Sequence, residues 1–183
     1  RSQQKHFLLL RDLIEIRAAT ATIKGVNTEF LHKIVNSMSS FFWIFCMPDN
    51  NFASFNGGSL IKKEDLIQTK KRTKNNSKNF ALASNSGYAR INHKNLNLLI
   101  DVGNKTLLNS NLGKFNKASI GAIELYFKKS KFITNVGESP NISKYHSNAF
   151  SSTAAHSTLS IDDRNNFDLS GRGQLNLFKV KKN

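Results

Sequence analysis

One cysteine, two prolines and a single tryptophan stand among 183 residues, and 12 acidic side chains face 27 basic ones. Each scarcity excludes something. A lone Cys46 cannot close an intramolecular disulfide, but it leaves the redox compartment open, because many exported proteins also lack bridges. No Cys-x-x-Cys pair, Gly-rich phosphate loop or His-Glu-x-x-His helix is present, so the common zinc-finger, nucleotide and metalloprotease signatures are missing. No apolar run approaches the roughly 20 residues that span a bilayer. No charged, apolar, small-residue leader opens the chain. These absences point to a soluble protein with no membrane partner.

What is abundant is positive charge: the formal net charge is +15 and the pI near 10.1. A field of that sign favours nucleic acid, anionic lipid or acidic polysaccharide. Lysine, asparagine, isoleucine and phenylalanine are all plentiful, however, and an AT-rich genome would raise lysine with no ligand involved. The basic residues are spread along the chain apart from one cluster, Lys70-Lys71-Arg72 and Lys74. No recognition helix or aromatic platform accompanies them, which ranks a nucleic-acid-binding module last among the readings.

The length fits one domain, or a helical piece joined to a β domain. The chain opens with Arg1 directly into an amphipathic pattern, which leads us to expect a piece of something longer. Phe7, Leu10, Leu13, Ile14 and Ala18 recur at helical spacing from Gln3 to about Thr22. Gly25 breaks that pattern. Asn27 is the expected N-cap of a second helix, with Glu29 in its first turn. Phe30, Leu31, Ile34, Val35, Met38, Phe41, Phe42 and Phe45 give this helix a broad apolar face. Met47-Pro48-Asp49-Asn50-Asn51 ends the helical section. The expected division is therefore 1–47 and 48–183.

Beyond it, Phe52–Phe55 reads as a short strand and Lys62–Lys78 as a solvated loop or a basic rim for an anionic chain. Strands are expected at Phe80–Ala83, Tyr88–Asn92, Leu96–Val102, Ile120–Phe127, Phe132–Val136, Thr158–Ile161 and Leu175–Val180. Asn92-His93-Lys94-Asn95 and Lys128-Lys129-Ser130 are expected hairpin connections. The fold class is thus mainly β, an antiparallel sandwich behind two helices.

The stretch Phe150–Asn166, FSSTAAHSTLSIDDRNN, resembles the C-terminal β domain of heparinase II/III-like polysaccharide lyases, in which an S-T-A-A-H-[NS]-T segment supplies a site histidine. MPDNNFASFNGG, SGYARINHKNLNLLIDVG, KASIGAIELYF and KFITNVGESP match in the same order. The resemblance implies that the two helices close an α/α toroid. It also implies β-elimination on a uronate-containing glycan: a base removes the proton beside the carboxylate and an acid protonates the departing glycosidic oxygen, with the carboxylate charge neutralised. The tyrosine that such chemistry uses belongs to the toroid and falls on no residue of this chain.

Family members commonly carry H-x-H-x-D before a strand reading L-S-F-E-L. Here those positions fall on Phe115, Lys117 and Ser119, ahead of Gly121-Ala122-Ile123-Glu124-Leu125. A later aspartate falls on Asn135, and His156 is the histidine that remains. The metal site of the family is therefore expected to be lost at Lys117 and Asn135, and no cofactor is expected. Lys117 and His156 are the candidate catalytic residues. Lys117 supplies a cation for the carboxylate, or a base if burial lowered its pKa; otherwise it is an ordinary strand-edge lysine. His156 orients substrate or shares acid/base work, or it is a satisfied structural histidine. Tyr145, His146 and Arg164, flanked by Lys144, are candidate substrate-binding residues, pairing aromatic faces with cations. A serine triad from His156, Ser157 and Asp162 or Asp163 is rejected, because neighbouring side chains on a strand point to opposite faces.

The expected partner is an acidic polysaccharide or oligosaccharide, not nucleic acid, for a bacterial protein of the periplasm or cytoplasm, the periplasm being preferred. The competing reading is a noncatalytic glycan-binding or structural β-sandwich that has shed its site histidines.

Overall fold

The computed structural model describes residues 2–56, 58, 61–75, 80–103, 117–137 and 149–166. Two helices come first, α1 (Gln3–Thr20) and α2 (Glu29–Ile44). The Ser2 hydroxyl caps α1 by accepting from the Lys5 amide at 3.3 Å. Gly25, at φ 82°, turns the chain between the helices. The cap of α2 differs from expectation: Thr28 holds the cap position without a side-chain bond, and Asn27 Oδ1 accepts from the Glu29 amide at 2.9 Å. Phe7, Leu10 and Ile14 of α1 pack on Val35 and Phe42 of α2, with Cys46 and Leu66 completing this core.

Leu66 belongs to a third helix, α3 (Lys63–Arg72), where the sequence reading placed a loop. Its charges follow the helix dipole, with Glu64 and Asp65 in the first turn and Lys70, Lys71 and Arg72 in the last. Leu66 and Thr69 are buried. Arg11 pairs with Asp65 at 3.0 Å, and Arg72 with Glu15, which fastens α3 along α1.

The strands β1 (Phe80–Ala83), β2 (Tyr88–His93), β3 (Leu96–Asp101), β4 (Ile123–Phe127) and β5 (Ser130–Ile133) form one antiparallel meander in sequence order. Two-residue turns join β2 to β3 at Lys94-Asn95 and β4 to β5 at Lys128-Lys129. Lys94 and Lys128 sit at φ 50° and 54°, the left-handed backbone that such tight hairpins demand. The β character and the preceding helices agree with the sequence reading, with local corrections. Phe52 contributes only a bridge to Cys46, and Thr158–Ile161 forms no strand beyond a bridge from Ile161 to Arg164. Leu175–Val180 lies outside the described residues. β4 begins at Ile123, not Ile120, because the chain bends at Gly121, φ 81°, where a Cβ would lie 2.8 Å from Thr158 Oγ1. β5 starts at Ser130 and ends at Ile133.

A second core lies between the sheet and the end of α2. Ile44, Phe45, Met47, Ala53 and Phe55 cover Tyr88, Leu99, Ala122 and Tyr126, and each buried aromatic contributes on the order of 2 kcal/mol of apolar burial. Phe52 packs against both cores. The joint is polar as well. Buried Arg90 of β2 donates to the carbonyls of Trp43, Ile44 and Cys46 at 2.7, 3.0 and 2.8 Å, satisfying carbonyls at the C-terminal end of α2 with a cation.

Candidate functional site

Small polar side chains bind the segment 149–166 to the chain leading into β4. The Ala118 amide donates to Ser151 O at 2.9 Å, and the Ile123 amide to Ser157 O at 3.2 Å. Thr153 Oγ1 donates to Ala118 O at 2.9 Å, and Thr158 Oγ1 to Ile120 O at 2.6 Å. The run of small residues in FSSTAAHST allows this close approach, and a 3-10 turn, Thr153–Ala155, ends on His156. His156 was expected at the start of a strand; it is instead the extended residue that closes this turn.

The side chain of His156 is 8% exposed. Its Nδ1 lies 2.9 Å from Asn135 Oδ1. The amide nitrogen of Asn135 donates to Ser54 O at 3.0 Å, which fixes Oδ1 as the acceptor toward His156. Nδ1 therefore carries the hydrogen and Nε2 the lone pair. Nε2 is buried and, among the described residues, has no hydrogen-bond partner. Burial, then the nearby Lys117 charge, lower the pKa of His156 to about 4, although the Phe150 backbone carbonyl lies close enough to favour the cation slightly. At neutral pH the imidazole is uncharged, with the Nε2 lone pair buried.

Lys117 is half-buried, and its Nζ donates to Ser151 Oγ at 3.0 Å. Asn135 and His156 are in contact, and Lys117, tied to Ser151 on the His156 segment, brings its charge to bear on the imidazole; the three come from separate stretches of chain. Asn135 is 4% exposed and is held where the chain after β5 passes over Ser54 and Gly58; a Cβ on Gly137 would come within 2.7 Å of Gly58 O.

Of the other sequence candidates, Arg164 alone lies within the described residues. Arg164 is exposed and ends a turn in which Asp162 and Asp163 sit at φ 52° and 53°. Phe115, Lys144, Tyr145 and His146 lie outside the described residues. Ser157 is no nucleophile beside His156: its Oγ donates to Ile123 O and accepts from the Ile123 amide at 3.1 Å.

Sequence reasoning missed Glu124. Its Oε1 accepts from the Ser54 amide at 2.8 Å, while Oε2 is buried with no partner among the described residues. Burial raises its pKa to about 7, against the opposing pull of the Ser54 and Asn135 amides and the Lys131 ammonium. Tyr126, two residues on, is fully buried, and burial followed by the Glu124 charge pushes its phenol upward. The signal was present: a glutamate at an inward position of Ile-Glu-Leu-Tyr-Phe breaks the apolar alternation. A further buried network lies alongside, in which Asn56 Nδ2 donates to Asp101 Oδ2 at 3.1 Å and Ser119 Oγ to Asn56 Oδ1 at 3.3 Å.

Among the described residues the cluster does not fit a metal ion: Lys117 is a donor, the Asn135 oxygen already faces the N–H of His156, and one imidazole remains where zinc requires three or four protein ligands. Among the described residues no three His, Cys, Asp or Glu side chains gather in a metal-holding group.

The family model described as heparinase II/III-like, C-terminal, matches residues 75–177, more than half of the chain. The chain belongs to the heparinase II/III-like family. Solved structures agree in fold. A crystal structure of heparinase III aligns over 90% of this chain and 32% of its own, with TM-score 0.63 and 16% identity. A mutant heparan sulfate lyase from Pedobacter heparinus aligns over 90% and 30%, with TM-score 0.67 and 14% identity. A heparinase III gene product aligns over 90% and 30%, with TM-score 0.73 and 11% identity. The chain spans about a third of the length of these heparinase structures. No curated protein matches it by sequence. The heparinase-like β domain thus includes the three converging residues Lys117, Asn135 and His156, all within the matched span.

Proposed function

We propose that this chain is the β-domain portion of a heparinase II/III-like polysaccharide lyase acting on an acidic, uronate-containing glycan, and that Lys117 and His156 face the substrate. The convergence of Lys117, Asn135 and His156 carries this reading. In β-elimination the base takes the proton beside the carboxylate, the electron pair forms the carbon–carbon double bond, and the departing glycosidic oxygen takes a proton. The Lys117 ammonium pairs with the substrate carboxylate and with the charge that grows on it in the transition state. His156, held neutral, accepts at Nε2 from a sugar hydroxyl or shares the proton transfer. The carboxylate and hydroxyls of a uronate suit one fixed cation beside one neutral acceptor.

The test is Lys117→Met and His156→Gln in the intact protein, read by ultraviolet absorbance of the unsaturated product and by binding to acidic oligosaccharides. Each variant is expected to lose roughly 10²-fold in kcat/KM, the scale of removing one transition-state contact. Unchanged rates in both would remove these residues from the site.

The burial of Nε2 favours a second reading, a noncatalytic domain that binds acidic glycan. Saturable binding by the wild-type protein with no unsaturated product would select it.

A further inference from the structure

We propose that the Lys117 ammonium is the resident cation of this site, a positive charge carried by the chain beside an Asn135–His156 pair that leaves no place for a bound metal ion. The inference is independent of whether the protein cleaves a glycan. It rests on how each polar atom is used. Lys117 Nζ donates to Ser151 Oγ at 3.0 Å and approaches His156 closely enough to disfavour the imidazolium. Both polar atoms of the Asn135 side chain are engaged: Nδ2 donates to Ser54 O at 3.0 Å, while Oδ1 accepts from His156 Nδ1 at 2.9 Å and from the Ser157 amide at 3.4 Å.

An ion placed among these groups would need the Asn135 oxygen turned away from His156, and would need Lys117 to withdraw or give up its proton. No carboxylate is among Lys117's hydrogen-bond or ion-pair partners in the described residues. The charge at Lys117 is part of the chain and is acquired during translation. Assembly of the site requires no loading step and displaces no ligand protons into solvent, as metal binding does.

A structural metal and a resident lysine respond differently to chelation and to exchange of ligands. The intact protein should contain far less than one equivalent of any divalent metal by elemental analysis and should melt at the same temperature with and without EDTA. Lys117→His combined with Asn135→Asp should then create a two-histidine, one-carboxylate set with His156. This variant should take up about one equivalent of zinc, give a visible absorption band with cobalt, and lose both when His156→Ala is added.

A wild-type protein that holds about one equivalent of metal, released by EDTA with a fall in melting temperature, would overturn the proposal. A folded double variant that binds no zinc would also overturn it, by showing that the three positions do not enclose an ion-sized space. Should the double variant fail to fold, metal content and chelator response of the wild type still decide. Both readouts are separate from turnover, so failure here and failure of the lyase reading are distinguishable.

Discussion

His156 and Glu124 are both buried beside Asn135, and burial moves their titrations past each other. His156 is lowered to about 4 from 6.5, so the unfolded chain binds the extra proton between those values. The stability tied to His156 is present above pH 6.5 and lost as pH falls through about 4. Glu124 is raised to about 7 from 4.5, so the folded protein holds the extra proton. Its contribution is present below pH 4.5 and lost as pH rises through about 7. Each shift is worth at most on the order of 3 kcal/mol, and the two slopes oppose each other over the interval they share. Urea midpoints measured from pH 4 to 8 should therefore rise with pH in Glu124→Gln and fall with pH in His156→Gln, with the wild type flatter than either. Parallel profiles in both variants would contradict the burial that drives the shifts. Cys46 gives a simpler expectation: burial pushes its thiol up to about 12, so disulfide reagents should label it only after unfolding.

At the scale of elements, Arg90 joins α2 to the sheet. Its guanidinium holds the three carbonyls at the end of α2, and it also reaches Asn92 Oδ1 at 2.9 Å and Asn97 Oδ1 at 3.1 Å. Arg90→Met should cost about 3 kcal/mol, because it leaves buried acceptors unpaired. Arg90→Lys should recover only part of that loss, since an ammonium cannot reproduce the planar fork. Coincident loss of helical and near-ultraviolet circular dichroism signals would show that the two layers unfold as one.

Elements whose signal is local were legible in the sequence. Phe7, Leu10 and Ile14 at helical spacing announce α1, and short turns announce the β2–β3 and β4–β5 hairpins. α3 was not legible as a helix, because a surface helix anchored by Leu66 and Thr69 carries little periodicity; the order of its charges was the available clue. Within the site, Lys117 and His156 were legible as candidates. The strand predicted after His156 fails because the hydroxyls of Ser157 and Thr158 are spent on the backbone of Ile123 and Ile120, a choice set by distant partners. Glu124 escaped attention for a related reason. A lone inward glutamate acquires meaning only when Ser54, 70 positions away, is seen to face it.

For the whole molecule, charge and apolar surface pull in different directions. A net charge of +15 opposes self-association at low salt. Leu9, Ile16, Ile23, Val26 and Phe30 are nevertheless 46–71% exposed on the helical side, an arrangement that favours association once salt screens the charge. Among the described residues no helix is long and apolar enough to cross a membrane. Light scattering on the 183-residue chain should show oligomers that grow with ionic strength, and Phe30→Ser with Leu9→Gln should reduce them. Association that weakens with salt would instead indicate contacts made by charge.

The hydroxyl stitching between 149–166 and the approach to β4 also bears on the order of events during folding. The strands β1 to β5 pair in sequence order, but the amides of Ala118 and Ile123 are sealed by Ser151 and Ser157, more than thirty residues later. Hydrogen exchange at these two amides is therefore a clock for a late step.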